Sequence, residues 1–93
     1  MHALMGASQI DPGRASEAEA LLNDRFVPLV KQMPGFISGT WARSADGTQA
    51  RSMILFESEE EAKAAAKLVA NGPPPGAPVI FLSVDVLEVV AQA

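Results

Sequence analysis

The Asp46-Gly47 pair near the middle of the chain leaves few folds open. It interrupts two runs of alternating residues, Phe36 to Ser44 and Gln49 to Glu57, and Asp-Gly between such runs reads as a β-hairpin turn. A strand-length apolar run, Met1 to Ile10, opens the chain and stops at the turn signal Asp11-Pro12-Gly13. Another, Val79 to Val90, closes it and is the most β-prone segment of all.

Between each outer run and the hairpin lies a helical pattern. Ser16-Glu17-Ala18-Glu19 matches a capping box, and Ala18, Leu22, Phe26, Leu29 and Met33 then recur at helical spacing. Pro28 removes a backbone donor inside this stretch, which predicts a kink or break around Asp24 to Pro28, and Pro34-Gly35 ends it. Ser58-Glu59-Glu60-Glu61 is a second capping box. It opens a helix with Glu59 and Lys63 at i,i+4 and Ala62, Ala65, Ala66 and Val69 facing inward, capped by Asn71-Gly72. Pro73-Pro74-Pro75-Gly76 reads as a stiff, extended connection, or as a lid over a pocket.

The order is strand, helix, strand, strand, helix, strand. Such an order predicts an α+β, ferredoxin-like βαββαβ domain over residues 1–93: a four-stranded antiparallel sheet of order 4-1-3-2 with two helices on one face.

Two helices cannot cover both faces of that sheet, so the second face should be polar if the chain stands alone. It is not polar. Ile54 and Phe56 point one way, while Met53 and Leu55 point the other. In the last strand, plain alternation puts Ile80, Leu82, Val84 and Val86 on one face and Phe81, Leu87 and Val89 on the opposite one. An apolar sheet face of that extent predicts a homodimer packed sheet to sheet.

Composition excludes several functions. The 93 residues carry 48% hydrophobic and 19% charged side chains, with a net charge of −4 and seven Lys and Arg that form no cluster. That lacks the basic footprint needed for nucleic acid or an anionic membrane surface, so neither is expected as a partner. There is no cysteine, hence no disulfide framework and no thiolate metal site. The opening apolar run is too short for a transmembrane helix and lacks the basic start of a signal peptide, which predicts a cytoplasmic protein.

Candidate site residues are few. His2 is the only histidine, and one imidazole without a second His, a Cys or a nearby carboxylate builds no metal site. Trp41, the only tryptophan, lies mid-strand and suits either stacking on a flat aromatic ligand or anchoring the core. Arg43, Arg51, Glu57 and Asp85 are charges within strands, where full burial without a partner is rare. If Arg51 and Glu57 share the face of Met53 and Leu55, they line a pocket mouth, pair across a dimer or stand in solvent. Trp41, Arg51, Met53, Glu57 and Asp85 are the expected ligand-binding residues, with no metal and no cofactor.

Three segments carry a resemblance: the strand–Pro12-Gly13-Arg14–helix opening, the helix end Met33-Pro34-Gly35-Phe36, and Leu55-Phe56-Glu57-Ser58 running into an acidic helix. The chain resembles the dimeric α+β barrel superfamily, and within it the antibiotic-biosynthesis-monooxygenase-like proteins, over nearly its whole length. The resemblance implies a homodimer whose two sheets form a barrel, with a pocket in each subunit between sheet and helices. The implied activities include cofactor-independent oxygenation of phenolic polyketides, haem degradation, and muconolactone and chlorite chemistry.

The residues depart from each. Where the haem-degrading branch has an Asn on the first strand, Met5-Gly6-Ala7-Ser8 has none, and Glu59 to Asn71 lacks its histidine. The phenol-oxidising branch uses a Trp, Asn and Tyr group; Trp41 is present, but there is no tyrosine and neither Asn23 nor Asn71 is on a strand. Two functions follow: binding a small hydrophobic or aromatic molecule and oxidising it without a cofactor, or serving as a non-enzymatic dimer module.

Overall fold

The computed structural model describes residues 1–93. Four strands, β1 (His2–Ile10), β2 (Phe36–Arg43), β3 (Gln49–Phe56) and β4 (Val79–Glu88), pair antiparallel in the order β2-β3-β1-β4. This is the expected 4-1-3-2 order read from the other edge. The first helical segment comprises α1 (Ala15–Leu21), a π-helical turn (Leu22–Phe26) and α2 (Val27–Lys31); α3 (Glu59–Val69) is the second. No helix is long and apolar enough to cross a membrane.

The core lies at one end of the layer between sheet and helices. Leu4 of β1, Ile54 and Phe56 of β3, Val30 of α2, Ala62 and Ala65 of α3, and Met33 form one buried cluster. Because α2 and α3 both contribute to it, the two helical segments lie on the same face of the sheet. Phe36 closes this end, its ring edge-on to Phe56 at 6.4 Å.

Local expectations fared unevenly. The second capping box forms in half: Ser58 is the N-cap of α3 and its hydroxyl accepts from the Glu61 amide at 3.2 Å, but the Glu61 carboxylate accepts from that hydroxyl at 3.0 Å rather than from the Ser58 amide. The first does not form. α1 starts at Ala15 with Arg14 as its cap residue, and no side chain caps it, so Ser16 lies inside the first turn. The break expected near Pro28 is a π turn: the Val27 amide reaches back five residues to the Leu22 carbonyl, and Pro28 then sits in the first turn of α2, where its missing donor costs little. The hairpin loop is wider than two residues. Ser44 and Gln49 close it with a 2.8 Å backbone bond, and the Asp46 carboxylate accepts from the Ser44 hydroxyl and from the Thr48 amide and hydroxyl.

Alternation fails in β4. Ala7 pairs with Ser83 but Ser8 pairs with Phe81, so Leu82 is an extra residue, a β-bulge. Val84 and Val86 face the helices, whereas Ile80, expected on their side, falls on the opposite face and Phe81, expected opposite, turns toward the helices. A similar shift between Phe36 and Ser38 lets Phe36 face the core while Ser38, Thr40 and Ala42 share the open face with Leu55, Met53 and Arg51.

That open face is uncovered. Met53, Ile80 and Leu87 are 44%, 58% and 53% exposed on it. Leu55, although on the same face, is already buried within the subunit at 9%.

Candidate functional site: an aromatic-walled cavity between sheet and helices

The other end of the layer is not filled. On the helix-facing side of β1 and β3, the large side chains Leu4, Ile54 and Phe56 give way to Gly6, Ser8, Ala50 and Ser52. Opposite them α1 presents Ala15 and Ala18. Small residues on both layers leave a cavity of about 440 Å³, within the range of small-molecule sites. Of its 28 lining residues, 17 are hydrophobic. Gly6 keeps this floor low: a Cβ there would stand 2.5 Å from the Ser52 hydroxyl, which would have to turn away.

Three aromatic rings form its wall. Phe26 comes from the π turn, Trp41 from β2 and Phe81 from β4. Phe26 lies between the other two, with ring centroids 6.2 Å from Trp41 at an interplanar angle of 88° and 6.4 Å from Phe81 at 63°. The Leu82 bulge is what brings Phe81 to this side. The indole of Trp41 lies across Gly39, so that a Cβ at position 39 would fall 2.6 Å from the six-membered ring.

The far wall is the loop after α3, through Gly72, Pro73 and Pro74. Arg14 ties this loop to the start of α1: its guanidinium donates to the Gly76 carbonyl at 3.1 Å, to both Glu17 oxygens at 2.8 Å and to Asp11 at 3.1 Å. Hydrogen bonding by Glu17, then by Asp11, raises the Arg14 pKa further above its ordinary value, and Arg14 in turn lowers that of Glu17.

The five expected site residues do not converge. Trp41 is half-buried, packs against the core cluster and also lines the cavity. Arg51 is a lining residue, but its side chain is exposed and donates to the Ala50 carbonyl at 2.9 Å and to Gln49 at 3.3 Å. Met53 and Asp85 lie on the open face, each paired with Met5 across the sheet, and Glu57 is exposed just beyond β3. Neither Met53, Glu57 nor Asp85 lines the cavity.

Sequence reasoning missed Phe26, Phe81, Ser8, Ser52 and Arg25 as cavity residues. The run of small residues at alternate positions, Gly6-Ser8 and Ala50-Ser52, was the signal available for Ser8 and Ser52. His2 lies at the other end of β1, where its Nε2 is 3.3 Å from the Glu59 carboxylate.

A family model described as antibiotic biosynthesis monooxygenase matches residues 1–68. The chain belongs to the antibiotic biosynthesis monooxygenase family. Among curated protein sequences, none is similar enough to count as a match. Solved structures share the fold of this family member. MhuD, the haem-degrader of Mycobacterium tuberculosis solved with two haems in its active site, is 21% identical, with a TM-score of 0.72 and coverage of 100% of this chain and 99% of that one. A Streptomyces coelicolor monooxygenase from the ActVA-Orf6 gene, solved with nanaomycin D, is 16% identical, with a TM-score of 0.63 and coverage of 99% and 89%. HapK from Hahella chejuensis reaches a TM-score of 0.71 at 8% identity, covering 100% and 96%.

This antibiotic biosynthesis monooxygenase family member does not offer a histidine-ligated haem site. No imidazole lines its cavity, and the only histidine is engaged with Glu59 beside α3. Nor does any group of three or more His, Asp or Glu side chains converge on one point.

Proposed function

We propose that the protein is a homodimer in which each subunit binds a flat, apolar aromatic molecule in the cavity between sheet and helices and oxidises it with dioxygen, without a cofactor. The observation that carries the reading is the wall of Trp41, Phe26 and Phe81 above a floor of small residues, an apolar aromatic lining with room for a small aromatic molecule. Family membership supports the oxidation, as does the Streptomyces monooxygenase solved with nanaomycin D. The uncovered apolar sheet face supports the dimer.

The chemistry asks little of the chain. A ring methylene flanked by phenolic rings loses a proton and adds dioxygen. The peroxide takes up a proton and loses water, leaving a carbonyl. The protein holds the ring against the aromatic wall and offers the hydroxyls of Ser8 and Ser52 to phenolic oxygens.

A second reading has one observation in its favour. Among the lining residues Glu19 is the only carboxylate and no histidine is present, so proton-transfer groups are scarce, as in a module that binds without reacting.

Titration with anthrone and with anthraquinone tests both. Binding should quench Trp41 fluorescence saturably and raise the melting temperature. A ligand that binds only the native state adds about 2.7 kcal/mol of stability at a hundredfold excess over its dissociation constant. Oxygen uptake with anthrone then separates the oxidase from the binding module. No quenching and no thermal shift with either compound would defeat both readings of the cavity.

A further inference from the structure

The cavity's apolar walls end in a rim whose charge opposes that of the whole molecule. The chain carries a net charge of −4, yet two of its four arginines, Arg25 and Arg43, stand at this one cavity on the helix-facing side, against the single carboxylate of Glu19, while the Arg51 side chain lies on the open face. The ion pairs of the protein lie elsewhere: Arg14 with Asp11 and Glu17, and Glu59 with Lys63. The Arg51 guanidinium is taken up by the Ala50 carbonyl and Gln49. Arg25 and Arg43 have no ion-pair partner, and both are exposed at the rim.

Their placement follows from the fold. Arg25 precedes Phe26 in the π turn, and Arg43 lies two residues beyond Trp41 on β2, and both line the cavity that the aromatic wall borders. Arg43 pairs with Ala50, whose small side chain keeps that corner of the floor open.

We infer that the ligand is an aromatic carboxylate, its ring system held by Trp41, Phe26 and Phe81 and its carboxylate at the rim on Arg25 and Arg43. Guanidinium is the group suited to this: it is always charged, takes a carboxylate through two parallel hydrogen bonds, and stacks on aromatic faces. In an acidic protein, an exposed cationic rim also attracts anions to this opening. The inference rests on the aromatic reading of the cavity and narrows it to a substrate class.

The test compares anthraquinone-2-carboxylate with anthraquinone-2-carboxamide, two probes of the same ring skeleton and nearly the same size, by Trp41 quenching and calorimetry on the full chain. The carboxylate should bind about tenfold more tightly, the gain of one or two charge-assisted hydrogen bonds, and its advantage should shrink as salt is raised. The double variant Arg25→Gln, Arg43→Gln alters exposed side chains, so it should fold as the parent does. It should lower carboxylate affinity to that of the carboxamide and leave carboxamide binding unchanged. Equal affinities in the parent, or a preference for the carboxylate that survives the double variant, would overturn the inference while leaving the aromatic reading intact. If neither compound binds, the aromatic reading falls and the inference with it.

Discussion

Trp41 and Gly39 show how a single pair of residues shapes the candidate site. Because the indole lies across Gly39, any side chain at that position must displace the ring. Gly39→Ala should therefore cost about 1–3 kcal/mol of stability, as overpacking does, and shift the Trp41 emission spectrum, since the ring must leave the cavity wall. An unchanged spectrum would mean that Trp41 is held by Phe26 rather than by the space over Gly39. Asp46 makes a second residue-scale case. Hydrogen bonds from Ser44 first, then from the Thr48 amide and hydroxyl, favour its ionised form and lower its pKa from 3.8 to about 2. A carboxyl whose folded pKa is depressed stabilises the fold above its unfolded pKa, and that contribution is lost as pH falls through the folded value. NMR titration should find Asp46 still ionised at pH 3, and the Ser44–Gln49 loop should loosen only as pH approaches about 2. At this scale the sequence was informative where chemistry is local. Ser58 and Asp46-Gly47 did what their types predict. Trp41 was ambiguous because its side depends on strand register, which no single residue encodes.

At the scale of elements, all four strands and both helical segments were legible from periodicity, and the acidic N-terminus of α3 carried its cap in plain view. What could not be read were the irregularities, and these build the cavity. The Leu82 bulge adds one residue to β4 and changes the side of everything before it, bringing Phe81 in and sending Ile80 out. The π turn projects Phe26 toward Trp41 of β2. Strict alternation and a constant helical step have no way to register an inserted residue. The filled end of the sandwich offers a control on the open end. Phe56 is fully buried in the core, so Phe56→Ala should cost about 3–5 kcal/mol in chemical denaturation and unfold a small domain of this size readily. Arg14→Ala acts at the open end instead. By releasing the Gly76 carbonyl it should raise proteolysis within Gly72–Ala77 while leaving the unfolding midpoint nearly unchanged, because the Arg14 side chain is on the surface and its ion pairs are weak stabilisers.

On the scale of the whole molecule, the decisive feature is a sheet with helices on one face and apolar side chains on both. Met53, Ile80 and Leu87 stand in solvent in the isolated subunit, with Met5, Ala7 and Thr40 among them on the same face. A face of this kind, covered by the same face of a second copy, would bury on the order of 800 Å² per subunit, the usual size of a stable interface. The proposed dimer therefore predicts a solution mass of two subunits at micromolar concentration. A substitution that tests it must fall on a residue that is exposed in one subunit and covered only in two. Leu55 does not qualify: it is already 9% exposed within the subunit, and Leu55→Asp would unfold a monomer and a dimer alike. Met53, at 44%, does qualify. Met53→Asp should leave a folded subunit, since the carboxylate can stay hydrated at an exposed position, yet it should break the dimer, where the same carboxylate would be desolvated without a partner. Light scattering on the parent and the variant should give two subunits and one. If the parent runs as one subunit, the open face stands in water and the barrel arrangement is wrong. If Met53→Asp remains a dimer with an unchanged melting temperature, the subunits associate through some other surface.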